Sequence, residues 1–137
     1  MDQLEKVYDI IDKSGIKVFN YKIPGSKGAT IEYDGQYGIF LDYSQIEDSH
    51  EEFMVLSHEY GHCKSGSTHG VETPINIIKK HEYIANKAAI FEFLPIKSLR
   101  LAISNGCKNI YEISEFLNLP PKFVKQALDI YTAKEMI

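Results

Sequence analysis

The sequence predicts an α+β domain: a small antiparallel sheet with a hairpin first, then helices to the C-terminus. Three observations predict it. Two short apolar runs flank Asp34-Gly35 in GATIEYDGQYGIFLDY, a strong hairpin signal. A capped, apolar-periodic run begins near Ser49 and continues into SHEYGH. The last forty or so residues keep helical spacing between Asn-Gly and Pro-Pro breaks. With 137 residues, 44% hydrophobic and 25% charged, the chain suits one ordered domain with a proper core. Residues 1–137 are read as that domain, with a core of residues 1–94 and a helical C-terminal part of residues 95–137.

In chain order, Leu4, Val7, Tyr8 and Ile11 have helical spacing over residues 2–14, and Gly15 is the stop. IKVFNYKI, residues 16–23, reads as a strand ended by Pro24-Gly25. The hairpin follows, its two-residue turn needing positive φ at Asp34 and Gly35. Ser49-His50-Glu51-Glu52 fits a capping box, in which Ser and Glu satisfy two free backbone N–H groups. That helix carries Phe53, Met54 and Leu56 and ends around Lys64 to Gly66. SGSTHG is a loop by composition. Thr73-Pro74 is a cap and first-turn pair for a second long helix, which Pro95 closes after Phe93-Leu94. IKSLRLAI ends at Asn105-Gly106. Ile110, Ile113, Phe116 and Leu117 share one helix, Asn118-Leu119-Pro120 break it, and Phe123, Val124, Ala127 and Leu128 share the next.

Net charge is -4 and the sequence pI about 5.7, so direct binding to nucleic acid or an anionic membrane is not expected. No apolar run approaches the roughly 18 residues of a membrane helix. MDQLEKVYDIIDKSG mixes charges among its apolar residues, unlike a signal peptide. The expectation is a cytoplasmic protein in which Cys63 and Cys107 are reduced thiols.

The chemistry concentrates in His58-Glu59-Tyr60-Gly61-His62, an HExxH motif on a predicted helix. Residues i and i+4 project from one face, so both imidazoles can reach one ion. Glu59 can stand beside an attacking water without ligating the metal, the placement of a general base. Gly61 costs roughly 1 kcal/mol of helix stability against Ala, so something must pack closely there. Three residues compete as third ligand. His69 invites the metzincin pattern HExxHxxGxxH, but Gly66 and His69 each lie one position too far and no Met-turn follows. Glu72 has no helix to aim it. Glu82 sits in a stripe with Ile75, Ile78, Ala85 and Ala89, where a carboxylate needs a partner such as a metal. Asn86, one turn on, is placed to hydrogen-bond a ligand. His58, His62 and Glu82 with an open position make a catalytic zinc pattern, which manganese or iron would also fit. Zinc would polarise a peptide carbonyl and lower the pKa of water toward about 7. Glu59 would take the water's proton and pass it to the leaving amine.

SHEYGH at 57–62, the E-x-x-A-N-x-x-A pattern at Glu82, Ala85, Asn86 and Ala89, and Leu94-Pro95 resemble the ImmA/IrrE family of metallopeptidases. The likeness covers about residues 20–95. The chain departs from the family at Ser57, usually alanine, at Ala88, often phenylalanine, and at Cys63-Lys64-Ser65, usually aliphatic. The resemblance implies a zincin-like fold of the gluzincin type, with His58, His62 and Glu82 as ligands and Glu59 as catalytic acid/base. It implies an endopeptidase carried by phages or mobile elements that cleaves a helix-turn-helix transcriptional repressor. It names no oxyanion helper; His69, His81 and Tyr83 are candidates, each read first as a surface residue. Gluzincins bind substrate along a sheet edge, and the second hairpin strand, Tyr37 to Asp42, is the expected edge.

A rival reading starts from EISEFLNLPPKFVKQAL, which has helix-turn-helix spacing with Lys122 and Lys125 on its second helix. It would make the chain a DNA- or partner-binding regulator with a non-proteolytic metal site. Residues 95–137 hold six Lys/Arg against four Asp/Glu, a small excess for gripping phosphates. Helices packed beside a catalytic core give the same pattern. In a third reading a degenerate zincin binds without cleaving, against which the intact Glu59 argues.

Overall fold

A computed structural model of the chain describes residues 1–70 and 72–137. Helix α1, Gln3–Lys13, opens on a capping box: Asp2 accepts from the Glu5 N–H at 2.8 Å while the Asp2 N–H donates to Glu5 Oε1 at 3.3 Å. Its Val7 and Ile11 are buried, and Gly15 turns the chain at φ 76°. Strand β1, Lys17–Asn20, is shorter than residues 16–23 because the chain must then cross to the far side of the sheet. Strands β2, Gly28–Tyr33, and β3, Gln36–Leu41, are the expected hairpin. Asp34 and Gly35 have φ of 53° and 78°, the two positive values that the two-residue turn requires.

The sheet corrects two expectations. It is mixed rather than antiparallel: its order is β1-β3-β2, and β1 runs parallel to β3. Residues 21–27 carry the chain over the end of β3, anchored by the Tyr21 N–H to Leu41 O and the Asp42 N–H to Lys27 O. The Asp42 carboxylate holds the same crossing, accepting from the Ile23 N–H, the Ser44 N–H and hydroxyl, and the Gln45 amide. The second correction follows. β3 is paired on both sides, so the strand containing Tyr37 cannot be a free edge; among the described residues the edges are β1 and β2, and β2 is the one that lies against the Glu59 helix.

After a 3-10 turn at Tyr43–Gln45, helix α2 spans Ser49–Ser65. Its cap lies one residue earlier than the Ser49 box: Asp48 accepts from the Glu51 N–H at 2.8 Å, and Glu51 accepts from the Glu47 N–H at 3.0 Å. Gly66 closes the helix at φ 70°. Helix α3, Ile75–Phe93, starts on Pro74 without a side-chain cap, and Thr73 instead accepts from the Gly70 N–H. Helices α4, Ile96–Ser104, α5, Ile110–Leu117, and α6, Pro121–Ala133, complete an α+β fold of six helices among the described residues.

One hydrophobic core holds these parts together. Val7 and Ile11 of α1, Ile39 and Leu41 of β3, Phe53 and Leu56 of α2, and Phe123 and Val124 of α6 all belong to it. Each such side chain contributes about 1.5–3 kcal/mol on burial. The C-terminal helices therefore pack into the same core that supports α2. Cys63 and Cys107 are both free, and burial pushes the Cys63 thiol up to about 12. Among the described residues no helix is long and apolar enough to cross a membrane.

Candidate metal centre

Helices α2 and α3 approach unusually closely, and Gly61 permits it. A Cβ at Gly61 would lie 2.1 Å from the Ala85 carbonyl oxygen. Ala85 and Ala89 are buried at this contact, as small residues must be where two backbones meet. The expected stripe is correct for Ala85 and Ala89 but fails at Ile75, which is 73% exposed. Ile75 occupies the first turn of α3, before that helix reaches α2.

The close crossing faces Glu82 toward His58 and His62. Glu82 Oε2 lies 2.6 Å from His58 Nε2, and Oε1 lies 2.9 Å from His62 Nε2. Each ring is fixed from behind. His58 Nδ1 donates to Asn86 Oδ1 at 2.7 Å, and His62 Nδ1 donates to the Ser67 carbonyl at 2.7 Å. With the Nδ1 proton engaged, Nε2 is the nitrogen left to bind a metal, and both Nε2 atoms point to one spot. The three donor atoms lie within 4.8 Å of one another, so His58, His62 and Glu82 form a group that could hold a metal ion. Two imidazoles and a carboxylate suit zinc and its neighbours better than calcium or magnesium.

The two glutamates nearby differ in charge behaviour. Hydrogen bonds from His58 and then His62 hold the Glu82 carboxyl well below the usual range. Burial pushes Glu59 up, although the Thr30 hydroxyl opposes this by donating to Glu59 Oε1 at 2.8 Å. For His58, burial works against the proton, but Glu82 and Glu59 outweigh it and hold the ring above its ordinary value. One acid is thus tied to the imidazoles, while the other stands free of them with a raised proton affinity, as acid–base work requires.

Glu59 lies against β2. A Cβ at Gly28 would meet Val55 Cγ1 at 2.6 Å and Glu59 Cγ at 3.2 Å, so the strand's backbone rests directly on α2. A cleft of about 610 Å³ runs over the site. Its floor is α2 with His58, Glu59 and His62; Ser26 to Thr30 form one wall. Glu82 and Asn86 of α3 stand opposite, joined by Lys122 and Gln126 of α6. This contribution of α6 was not foreseen in the sequence, because no local pattern reports where a distant helix docks.

The remaining candidates lie as follows. His69 borders the cleft and is exposed; its ring centroid is 6.1 Å from that of His62, and it is not in the metal-binding group. His81 is half-buried rather than on the surface. It stacks on His69 at 5.8 Å, and its Nδ1 is buried without a hydrogen-bond partner among the described residues. Tyr83 is 51% exposed and Glu72 is exposed. At the positions departing from the family pattern, Ser57 is buried and Cys63 joins the core.

Comparison with protein-family models, curated proteins and solved structures finds no match to this chain.

Proposed function

We propose that the chain is a zinc-dependent endopeptidase of zincin-like architecture, as its resemblance to the ImmA/IrrE family implies. The observation that carries this reading is the division of labour inside one cleft. His58, His62 and Glu82 converge on a common point, and Glu59 stands beside them without joining them. His58, His62 and Glu82 would hold the ion, which when bound supplies Lewis acidity toward a peptide carbonyl.

The chain's own residues do the rest. Asn86 and the Ser67 carbonyl keep the two rings in the tautomer that presents Nε2. Glu59 accepts a proton from the attacking water and delivers it to the nitrogen of the departing amine, so that one C–N bond breaks as one C–O bond forms. Thr30 holds the Glu59 carboxylate in place for both transfers. The substrate lies extended along β2, the free edge beside Glu59, which replaces the hairpin's second strand in this role. The substrate class follows from the same resemblance: a helix-turn-helix repressor of a phage or mobile element.

The test pairs wild type with Glu59→Gln, both loaded with zinc and incubated with a helix-turn-helix repressor taken as the candidate substrate. Wild type is expected to cut it at one bond. The variant should hold its zinc and cut roughly 10²–10⁴-fold more slowly. Equal behaviour of the two would end the peptidase reading.

A further inference from the structure

Lys122 and Lys125 gave the C-terminal segment its nucleic-acid flavour, and the fold turns Lys122 toward the cleft instead. Helix α6 is seated by its apolar face: Phe123 meets Phe53 of α2 edge-on at 4.9 Å, Val124 and Ala127 are fully buried, and Tyr131 donates to the Leu94 carbonyl at 2.9 Å. That seating fixes the first turn of α6 beside the first part of α2 and delivers Lys122 and Gln126, one turn apart, into the wall of the cleft. His69 borders the cleft beside His62, toward the other end of α2.

Charge gives this placement meaning. The carboxylates lining the cleft are Glu59 and Glu82, and a divalent cation in the site would offset both. Lys27 is neutralised by Glu51 at 2.8 Å, and Lys125 is paired with Asp129 at 3.0 Å outside the cleft. Lys122 has no ionic partner among the described residues. A metal-loaded cleft would therefore carry one unpaired lysine on its wall, on a chain whose net charge is -4. An ammonium there favours a carboxylate on whatever lies in the cleft and disfavours a second cation.

We propose that Lys122 is a specificity-determining residue, receiving an acidic side chain of the peptide bound along β2. The cleft then selects extended segments with Asp or Glu at one set position on the Met54 side of the cut bond. The position relative to the cut bond rests on the peptidase reading; the binding does not. Gln126 supports it as a neutral hydrogen-bonding neighbour that adds no competing charge.

The experiment reads binding and cleavage separately. Zinc-loaded full-length Glu59→Gln protein is applied to an immobilised library of short synthetic peptides, alone and combined with Lys122→Gln or Lys122→Glu. Lys122 is exposed, so neither change disturbs the core. The parent should retain peptides with Asp or Glu at one position. Lys122→Gln should erase that preference. Lys122→Glu should weaken the acidic peptides about tenfold and favour Lys or Arg at the same position. An unchanged preference or no retained peptide would each overturn the proposal. Retained peptides are then offered to the wild type. Acidic peptides held through Lys122 but never cut would sink the peptidase reading and leave the charge selection standing.

Discussion

The tripeptide His-Glu-Tyr occurs twice, at 58–60 on α2 and at 81–83 on α3, and the two copies do opposite things. On α2 the histidine faces α3, the glutamate lies against β2 and the tyrosine is buried beside Phe93 at 5.5 Å. On α3 the glutamate faces the histidines, the histidine stacks on His69 and the tyrosine points outward beneath Lys87. The letters are identical and the helical phase differs by one residue, about 100° of rotation. What a side chain does here is decided by which neighbour its phase presents to it. The glutamates record this: burial raises the proton affinity of Glu59, while two imidazoles lower that of Glu82.

The largest expected effect breaks the comparison at its ligand. Glu82→Ala should lose zinc far beyond the roughly 10–100-fold that removal of an outer hydrogen-bond partner costs. His69→Ala, although its ring lies 6.1 Å from His62, should keep zinc near the wild-type level. Metal content by atomic absorption after dialysis decides between them. Retention in the first and loss in the second would move the third ligand to the loop and make the metzincin-like spacing meaningful.

A smaller effect tests why the two phases meet at all. Gly61→Ala puts a methyl group 2.1 Å from a backbone oxygen of α3, which no side-chain rotation relieves. The helices must separate, at a cost of about 1–3 kcal/mol, as for other overpacked sites. Thermal melting should show that loss, and zinc affinity should fall with it because Glu82 moves away. A variant that melts like wild type and binds zinc normally would show that the crossing is looser than this contact implies.

These contacts also explain what the sequence could disclose. HExxH, the Asp34-Gly35 turn and the demand for close packing at Gly61 were legible, because helical spacing and positive φ are local properties. Glu82 was legible as a carboxylate lacking a reason in a stripe with Ala85 and Ala89, and through the E-x-x-A-N-x-x-A likeness. The parallel pairing of β1 with β3 was not, since two edge strands can exchange places without changing their own alternation. The α2 cap was misplaced by one residue because Asp48 and Ser49 are both good caps, and only backbone geometry chooses between them. Lys122 was visible as a charge but not as part of the cleft, because its position depends on Phe123 finding Phe53 across the core.

The smallest effect supplies a control acid for the two glutamates. Asp42 is buried and held by hydrogen-bond donors alone, Gln45 and Ser44 foremost, which draw its pKa from 3.8 down to about 2. A carboxyl depressed on folding stabilises the native state above its unfolded value and loses that contribution as pH falls through the folded one. The contribution is thus complete above about pH 4 and fades toward pH 2. Asp42 clamps residues 21–27, the lead-in to β2, so its protonation should loosen the wall of the cleft first. Acid titration followed by circular dichroism should therefore show a larger loss in this window in wild type than in Asp42→Asn, which is weaker at neutral pH and keeps only the shallower loss from other depressed carboxyls such as Glu51 and Glu82. Zinc should leave the loss where it is, because imidazole ligands take up protons and release metal well above pH 4. A loss that shifts with zinc would instead trace to Glu82, and would mean that the carboxylate on α3 keeps its hold on the ion after the histidines have let go.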